Sequence, residues 1–238
     1  MNKINVACLQ ECHIIENDIE LWKKEWGGEM FVLPGSVHSK GQIILLSKKL
    51  NACEYVEEKF GDRILKLSFT LDEEKYSIVN IYGPNIEANK IKFLYDLFSV
   101  CNEIPCDVYY SVLGDCNMYL SETLDNIAGA PHDRKVVKAF NDFVTELGLV
   151  DVWRLFHGED KQHTWSNVNA PWVARRLDYI LCNEIMFDRI HSCEIVEVPN
   201  TDHKGVLLEF SSNDMKISDT GNLIVLILPA PGPTRVDR

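Results

Sequence analysis

Short apolar runs of strand length recur along this chain, and several follow one another with no helix between them. That spacing limits the possible folds more than any other feature. The runs are residues 4–9, 30–33, 41–46, 63–71, 75–82, 108–113, 149–153, 177–182, 193–198 and 206–210. Residues 63–71 and 75–82 meet across Asp72-Glu73-Glu74, and apolar side chains alternate at Ile64, Leu65, Leu67, Phe69 and Leu71, so the pair predicts a hairpin. Helical spacing is confined to three places. Residues 17–26 interleave Ile19, Leu21, Trp22 and Trp26 with polar positions; Ile91, Leu94, Leu97, Phe98 and Cys101 mark a helix over Glu87–Asn102; Val136, Val137, Phe140, Val144 and Leu147 mark another, stopped by Gly148. An excess of strands with a few amphipathic helices predicts a mixed, layered α/β domain, not a strict βαβ repeat. The pattern covers residues 1–211 and fades from Ser211, so residues 212–238 are expected to form a disordered tail.

With 238 residues, 46% of them hydrophobic and 25% charged, the chain has the material for one sizeable core. Its longest apolar run, residues 223–228, is far too short to span a bilayer, so no membrane association is expected. Residues 1–9 lack the pattern of a secretory leader, which points to the nucleus or the cytoplasm. The eight cysteines are scattered with no Cys-x-x-Cys pair, which reads as reduced, mostly buried thiols and not a zinc site. A net charge of −12 weighs against non-specific attraction to nucleic acid, while leaving room for a local basic patch. Acidic side chains are also what a divalent-metal site requires.

Polar residues that a core does not need cluster at the ends of these runs: Gln10-Glu11, Tyr82-Gly83-Pro84-Asn85, Gly114-Asp115-Cys116-Asn117, Arg176-Leu177-Asp178 and Thr201-Asp202-His203. Polar groups on loops at one edge of a rigid sheet are the usual layout of a catalytic site. Each also has a bland reading. Glu11 suits either a metal ligand or a capped loop start. Asp115 and Asn117, one residue apart, suit either the orientation of a water or a simple turn. Asp202, directly before His203, can fix the imidazole tautomer and stabilise its cation. Asp178 joins the same network or pairs with Arg175 or Arg176. Tyr82 either reaches a phosphate or is an interior tyrosine with a satisfied hydroxyl. His132, Arg134, Lys135, Lys138, Arg175 and Arg176, with Trp165 and Trp172 among them, could grip phosphates and stack on a base, or form a solvated helix start and a packed tryptophan.

The ordered set Leu9-Gln10-Glu11, Asn80 to Asn85, Leu113 to Asn117, Arg176 to Leu181 and Thr201-Asp202-His203 resembles the endonuclease/exonuclease/phosphatase superfamily. It looks most like the apurinic-type endonuclease domain of LINE-type retrotransposons, as do Leu147 to Trp153 and His163 to Ser166. The resemblance runs from about Ile4 to Phe210 and implies a four-layered αββα sandwich that hydrolyses phosphodiesters in DNA with Mg²⁺, or Mn²⁺ in its place. It implies Glu11 and Asp202 as metal ligands, and Asp115, Asn117, Asp178, Asp202, Tyr82 and His203 as the catalytic set. In that set Asp202 holds the His203 ring. Asn85, Thr164, Thr201, Arg175 and Arg176 are implied to touch the substrate. It further implies a monomeric domain within a longer polyprotein that carries a reverse transcriptase. The other readings are a superfamily phosphatase or phosphodiesterase for small phosphorylated molecules, and a catalytically inactive binding remnant. The family's first strand and helix are missing from the pattern, so the expectation is an N-terminally truncated domain with an incomplete sheet, low stability and weak nicking.

Overall fold

The structure is a computed structural model that describes residues 4–37, 39–212 and 222–229. Its strands are β1 (Val6–Gln10), β2 (Glu29–Leu33), β3 (Gln42–Leu46), β4 (Ala52–Phe60), β5 (Ile64–Leu71), β6 (Glu74–Tyr82), β7 (Tyr109–Asp115) and β8 (Asn126–Ile127). They continue with β9 (Leu149–Asp151), β10 (Trp165–Asn167), β11 (Ala170–Arg175), β12 (Asp178–Asn183), β13 (Ile190–Val196), β14 (Gly205–Ser211) and β15 (Asn222–Pro229). The α-helices are α1 (Ile19–Trp26), α2 (Glu87–Asn102), α3 (Glu122–Asp125), α4 (Arg134–Glu146) and α5 (Val152–His157).

Two six-stranded sheets, ordered β13-β14-β15-β1-β3-β2 and β4-β5-β6-β7-β12-β9, pack face to face. The period of two along each strand divides its apolar residues between layers. Cys8, Ile44, Leu65, Leu67, Leu113, Ile180, Leu208 and Ile227 fill the space between the sheets. Ile64, Val79, Ile81, Val112, Tyr179 and Leu181 point the other way, into a second core with Leu94, Leu97, Phe140 and Phe143 of α2 and α4. On the far side, Ile19 of α1 packs with Met30, Val32 and Ile43. Helix, sheet, sheet and helix give the expected αββα sandwich. A small sheet, β10-β11-β8, stands beside it.

The predicted hairpin is present as β5 and β6, paired from Ile64↔Ile81 to Leu71↔Glu74. Asp72 and Glu73 take φ of 50° and 69°, the left-handed pair that a tight two-residue hairpin turn demands. The run at 149–153 is shorter than read, because the strand ends at Asp151, whose side chain caps α5 by accepting from the Arg154 amide at 3.3 Å. The sequence pattern did not reveal β4. It is an edge strand whose charged residues Glu54, Glu57, Glu58 and Lys59 hide the alternation, and such charges blunt an edge against further pairing.

The expectation of an incomplete sheet and a disordered 212–238 segment is corrected at residues 222–229. There β15 is an interior strand, parallel to β1 from Val6↔Val225 to Gln10↔Pro229 and antiparallel to β14 from Val206↔Ile227 to Ser211↔Asn222. Val225, Leu226 and Ile227 are buried. An uninterrupted apolar run carries no period, as befits a strand covered on both faces. The rest of the expected tail, residues 213–221 and 230–238, lies outside the described residues.

Candidate active site

Sheet register brings the strand-end motifs together. Tyr82 at the end of β6 lies opposite Asp115 at the end of β7, and Asp115 lies opposite Asp178 at the start of β12. Glu11 follows β1 in the facing sheet, and Gln10 just before it ties the sheets together by donating to Asn80 Oδ1 at 2.6 Å. Two glycines allow this convergence. A Cβ on Gly83 would lie 1.9 Å from Cys116 O, and one on Gly114 would lie 2.2 Å from Ile81 O. The result is an open cleft of about 480 Å³ whose lining includes Glu11, Tyr82, Asn85, Asp115, Asn117 and His203.

Glu11 sits at φ 54°, which turns its carboxylate toward Tyr82, whose hydroxyl donates to Glu11 Oε1. Burial, and then Glu11, push the Tyr82 hydroxyl far above its usual pKa, so it is a donor at any working pH. Asp115 is fixed through both oxygens: the Asn117 amide donates to Oδ1 at 2.8 Å and Asn117 Nδ2 to Oδ2 at 3.0 Å. Asn117 Nδ2 also reaches Gly83 O at 3.0 Å. Burial and the nearby Asp178 raise Asp115 to about 7, against the pull of His203.

The carboxylate that holds His203 is Asp178, not Asp202. Asp178 Oδ2 is 2.9 Å from His203 Nδ1. Burial lowers the pKa of the ring, yet Asp178 outweighs it and His203 rises to about 10, so the ring is a cation at neutral pH. Asp202 turns outward into the cleft, where its Oδ2 accepts from Trp165 Nε1 at 2.9 Å. The reason is backbone geometry. The 201–204 segment pairs with β10, through Ser166 N to Asp202 O at 3.2 Å and Lys204 N to Thr164 O at 2.6 Å, and this points consecutive side chains to opposite sides.

Other expectations shift as well. Thr164 is fully buried and its hydroxyl accepts from the amides of Leu177 and Asp178, so it sets the position of Asp178 and does not face a substrate. Thr201 Oγ1 accepts from the His203 amide at 3.1 Å, a local turn. Arg176, expected at the substrate, is 1% exposed, bonded to Asp125 and Asp151 and stacked over Trp153 and Tyr179. Arg175 lines the cleft and donates to Asn126 Oδ1 and Ala130 O, so neither arginine pairs with Asp178. The cleft wall also contains Glu87, Lys90 and His132. Lys90 was legible: a lysine three and four residues before Phe93 and Leu94 stands on the core-facing side of α2.

Among the described residues, no group of three or more His, Cys, Asp or Glu side chains forms a ready-made metal cage. The donor set fits a hard divalent cation all the same. Glu11, Asp115 and Asp202 bring carboxylate oxygens to one cleft, and Mg²⁺ takes one or two carboxylates while keeping several waters. Burial, and after it the negative charges of Asp178 and Glu11, raise Asp115, and a bound cation would stabilise its carboxylate.

No family model matches the chain. The Transposon TX1 uncharacterized 149 kDa protein of Xenopus laevis is 26% identical to it over 213 residues, or 87% of this chain; the chain spans 16% of the length of that protein. A 3'-5' exonuclease, NExo, from Neisseria meningitidis superposes with a TM-score of 0.70 at 19% identity, covering 88% of this chain and 90% of its own. NExo from Neisseria, described as a 3' phosphatase bound to a product DNA hairpin, gives 0.71 at 17%, covering 89% and 90%. An AP endonuclease from Archaeoglobus fulgidus gives 0.70 at 17%, covering 87% and 89%. The fold is therefore the αββα sandwich that the motif resemblance implied, shared with these nuclease structures, and the sequence relative is a transposon protein.

Proposed function

We propose that this chain is a divalent-metal-dependent phosphodiester hydrolase that nicks DNA, of the kind carried in the polyproteins of LINE-type retrotransposons. The observation that carries the reading is His203, backed by the buried Asp178, sharing one cleft with the doubly bonded Asp115 and with Glu11. With Nδ1 occupied by Asp178, the Nε2–H of His203 is the donor left for a phosphate oxygen, and its charge opposes the negative charge that builds in the transition state. Asp115, poised near neutrality, accepts a proton from the attacking water. The water oxygen bonds to phosphorus as one ester P–O bond breaks, and the ester oxygen that leaves takes a proton from solvent and departs as an alcohol. Asn117 holds Asp115 in place through its amide and Nδ2, and the Tyr82 hydroxyl does the same for Glu11, beside the reacting phosphate. Glu11 and Asp202 would hold Mg²⁺, which when bound neutralises charge on the phosphate oxygens.

The test is conversion of supercoiled plasmid to open circle with Mg²⁺ and with chelator. The expected result is nicking that stops in chelator, and that falls by about 10²–10⁴ in Asp115→Ala and His203→Ala. Undiminished nicking by Asp115→Ala, or in excess chelator, would refute the reading. A second reading, removal of a terminal phosphate from DNA, has support from the NExo structure described as a 3' phosphatase. A 3'-phosphorylated oligonucleotide run beside the plasmid separates the two.

A further inference from the structure

The start of α2 and the loop at residues 130–132 form a cleft wall with a buried cation that the proposed chemistry does not use. The Lys90 side chain is 2% exposed, and its ammonium lies 2.7 Å from Glu87 Oε2 and 3.2 Å from His132 Nδ1. His132 Nδ1 is 3.0 Å from the same Glu87 oxygen, while Glu87 Oε1 accepts from the Asp133 amide at 2.8 Å. One carboxylate thus anchors the lysine and the start of α4, with the His132 ring against both. An ammonium has three donors. His132 Nδ1 either accepts from Lys90 or donates to Glu87, so Glu87 and His132 take at most two of these donors, and at least one N–H is left over by the partners found among the described residues.

Burying a lysine is costly, and here burial lowers its pKa while Glu87 raises it. Glu87 is itself 39% exposed and could have met a lysine at the rim, so the pair does not need this depth for its own sake. Arg175 stands on the same wall, close enough for its charge to act on both Lys90 and His132. The remaining charged lining is mainly carboxylate, Glu11, Asp115 and Asp202, together with His203. The cleft therefore has a carboxylate side, suited to a metal and the reacting phosphate, and a cationic side with a donor to spare. A volume of about 480 Å³ leaves room for more than one phosphate group.

We propose that Lys90, with Arg175 beside it, forms an anion subsite for a backbone phosphate of the nucleic-acid strand next to the phosphate being hydrolysed. Glu87 and His132 position the ammonium. The subsite rests on the hydrolase reading given above.

Binding of a fluorescent DNA duplex is measured by anisotropy in chelator across a salt series, beside steady-state nicking with Mg²⁺ and thermal melting. Lys90→Met should weaken binding several-fold and lower the salt slope by about one, as expected for one lost phosphate contact. It should raise KM with kcat nearly unchanged. Lys90→Arg should restore much of the slope, and Arg175→Met should act in the same direction as Lys90→Met. If Lys90→Met does not fold, Lys90→Arg and Arg175→Met carry the test, and a wild-type slope in Arg175→Met overturns the subsite. A folded Lys90→Met with unchanged slope and KM overturns it too, as does a loss of kcat at unchanged slope. In each of these cases an active wild type leaves the hydrolase reading standing. A wild-type chain that neither binds DNA nor hydrolyses any phosphoester refutes both.

Discussion

Replacing Asp178 with asparagine should strip His203 of its charge at neutral pH. Asp178 Oδ2, 2.9 Å from Nδ1, is the largest influence that raises the ring, which stands at about 10 against an ordinary 6.5 although burial works the other way. A raised basic group contributes stability that is fully present below 6.5 and is lost as pH climbs through about 10. At 1.36 kcal/mol per pH unit the difference sets a ceiling of about 5 kcal/mol, close to the roughly 3–5 kcal/mol seen when one member of a buried ion pair is removed. The variant can escape part of this loss by releasing the imidazolium proton, so its melting deficit should be largest in mild acid and shrink above neutrality. The assay is an NMR titration of the His203 ring in chelator, with Asp202→Asn as the control. The titration should move well below 10 in Asp178→Asn and stay near the wild-type value in Asp202→Asn, whose carboxylate bonds Trp165 instead. Turnover at neutral pH should fall by about 10²–10³ in Asp178→Asn, because the transition-state donor has lost its charge. If Asp202→Asn discharges the ring and Asp178→Asn does not, the assignment of its partner is wrong.

Calorimetric titration with Mg²⁺ should show binding to the wild type and clearly weaker binding to Glu11→Gln, since a neutral amide is a poorer ligand for a hard cation; equal affinities would remove Glu11 from the ligand set. Ile227→Ala in β15 should lower stability by about 2–5 kcal/mol in urea unfolding, as a fully buried residue between the sheets should. An unchanged midpoint would mean that β15 is peripheral to the fold. Arg176→Met should cost roughly 3–5 kcal/mol by stranding Asp151 and leaving Asp125 with Arg154 as its one cation, with turnover per folded molecule little altered. Lost turnover at an unchanged melting temperature would return Arg176 to the substrate.

What the sequence alone determined follows from local periods. The alternation at residues 63–82 gives β5 and β6, and the spacing of Ile91, Leu94, Leu97 and Cys101 gives α2, because in each case the period itself says which side chains face a core. The polar strand ends at Glu11, Tyr82, Asp115, Asp178 and His203 were visible for the same reason: they interrupt apolar runs where no core asks them to. Partnership was not visible in this way. Asp202 adjoins His203 in sequence, but strand-like backbone turns neighbours to opposite sides, and the register of β12 on β7 delivers Asp178, twenty-five residues away, to the ring. Arg176 and Asp178, two residues apart, also part company: Arg176 enters a buried ion network with Asp125 and Asp151, while Asp178 holds the His203 ring. Lys90 carried a signal in its helical phase, yet only α4 and the 130–132 loop, more than forty residues on, make its burial worthwhile. The apolar run in β15 lacks any period that would name a partner, and its place between β14 and β1 is decided by which strands lack a neighbour once both sheets have assembled.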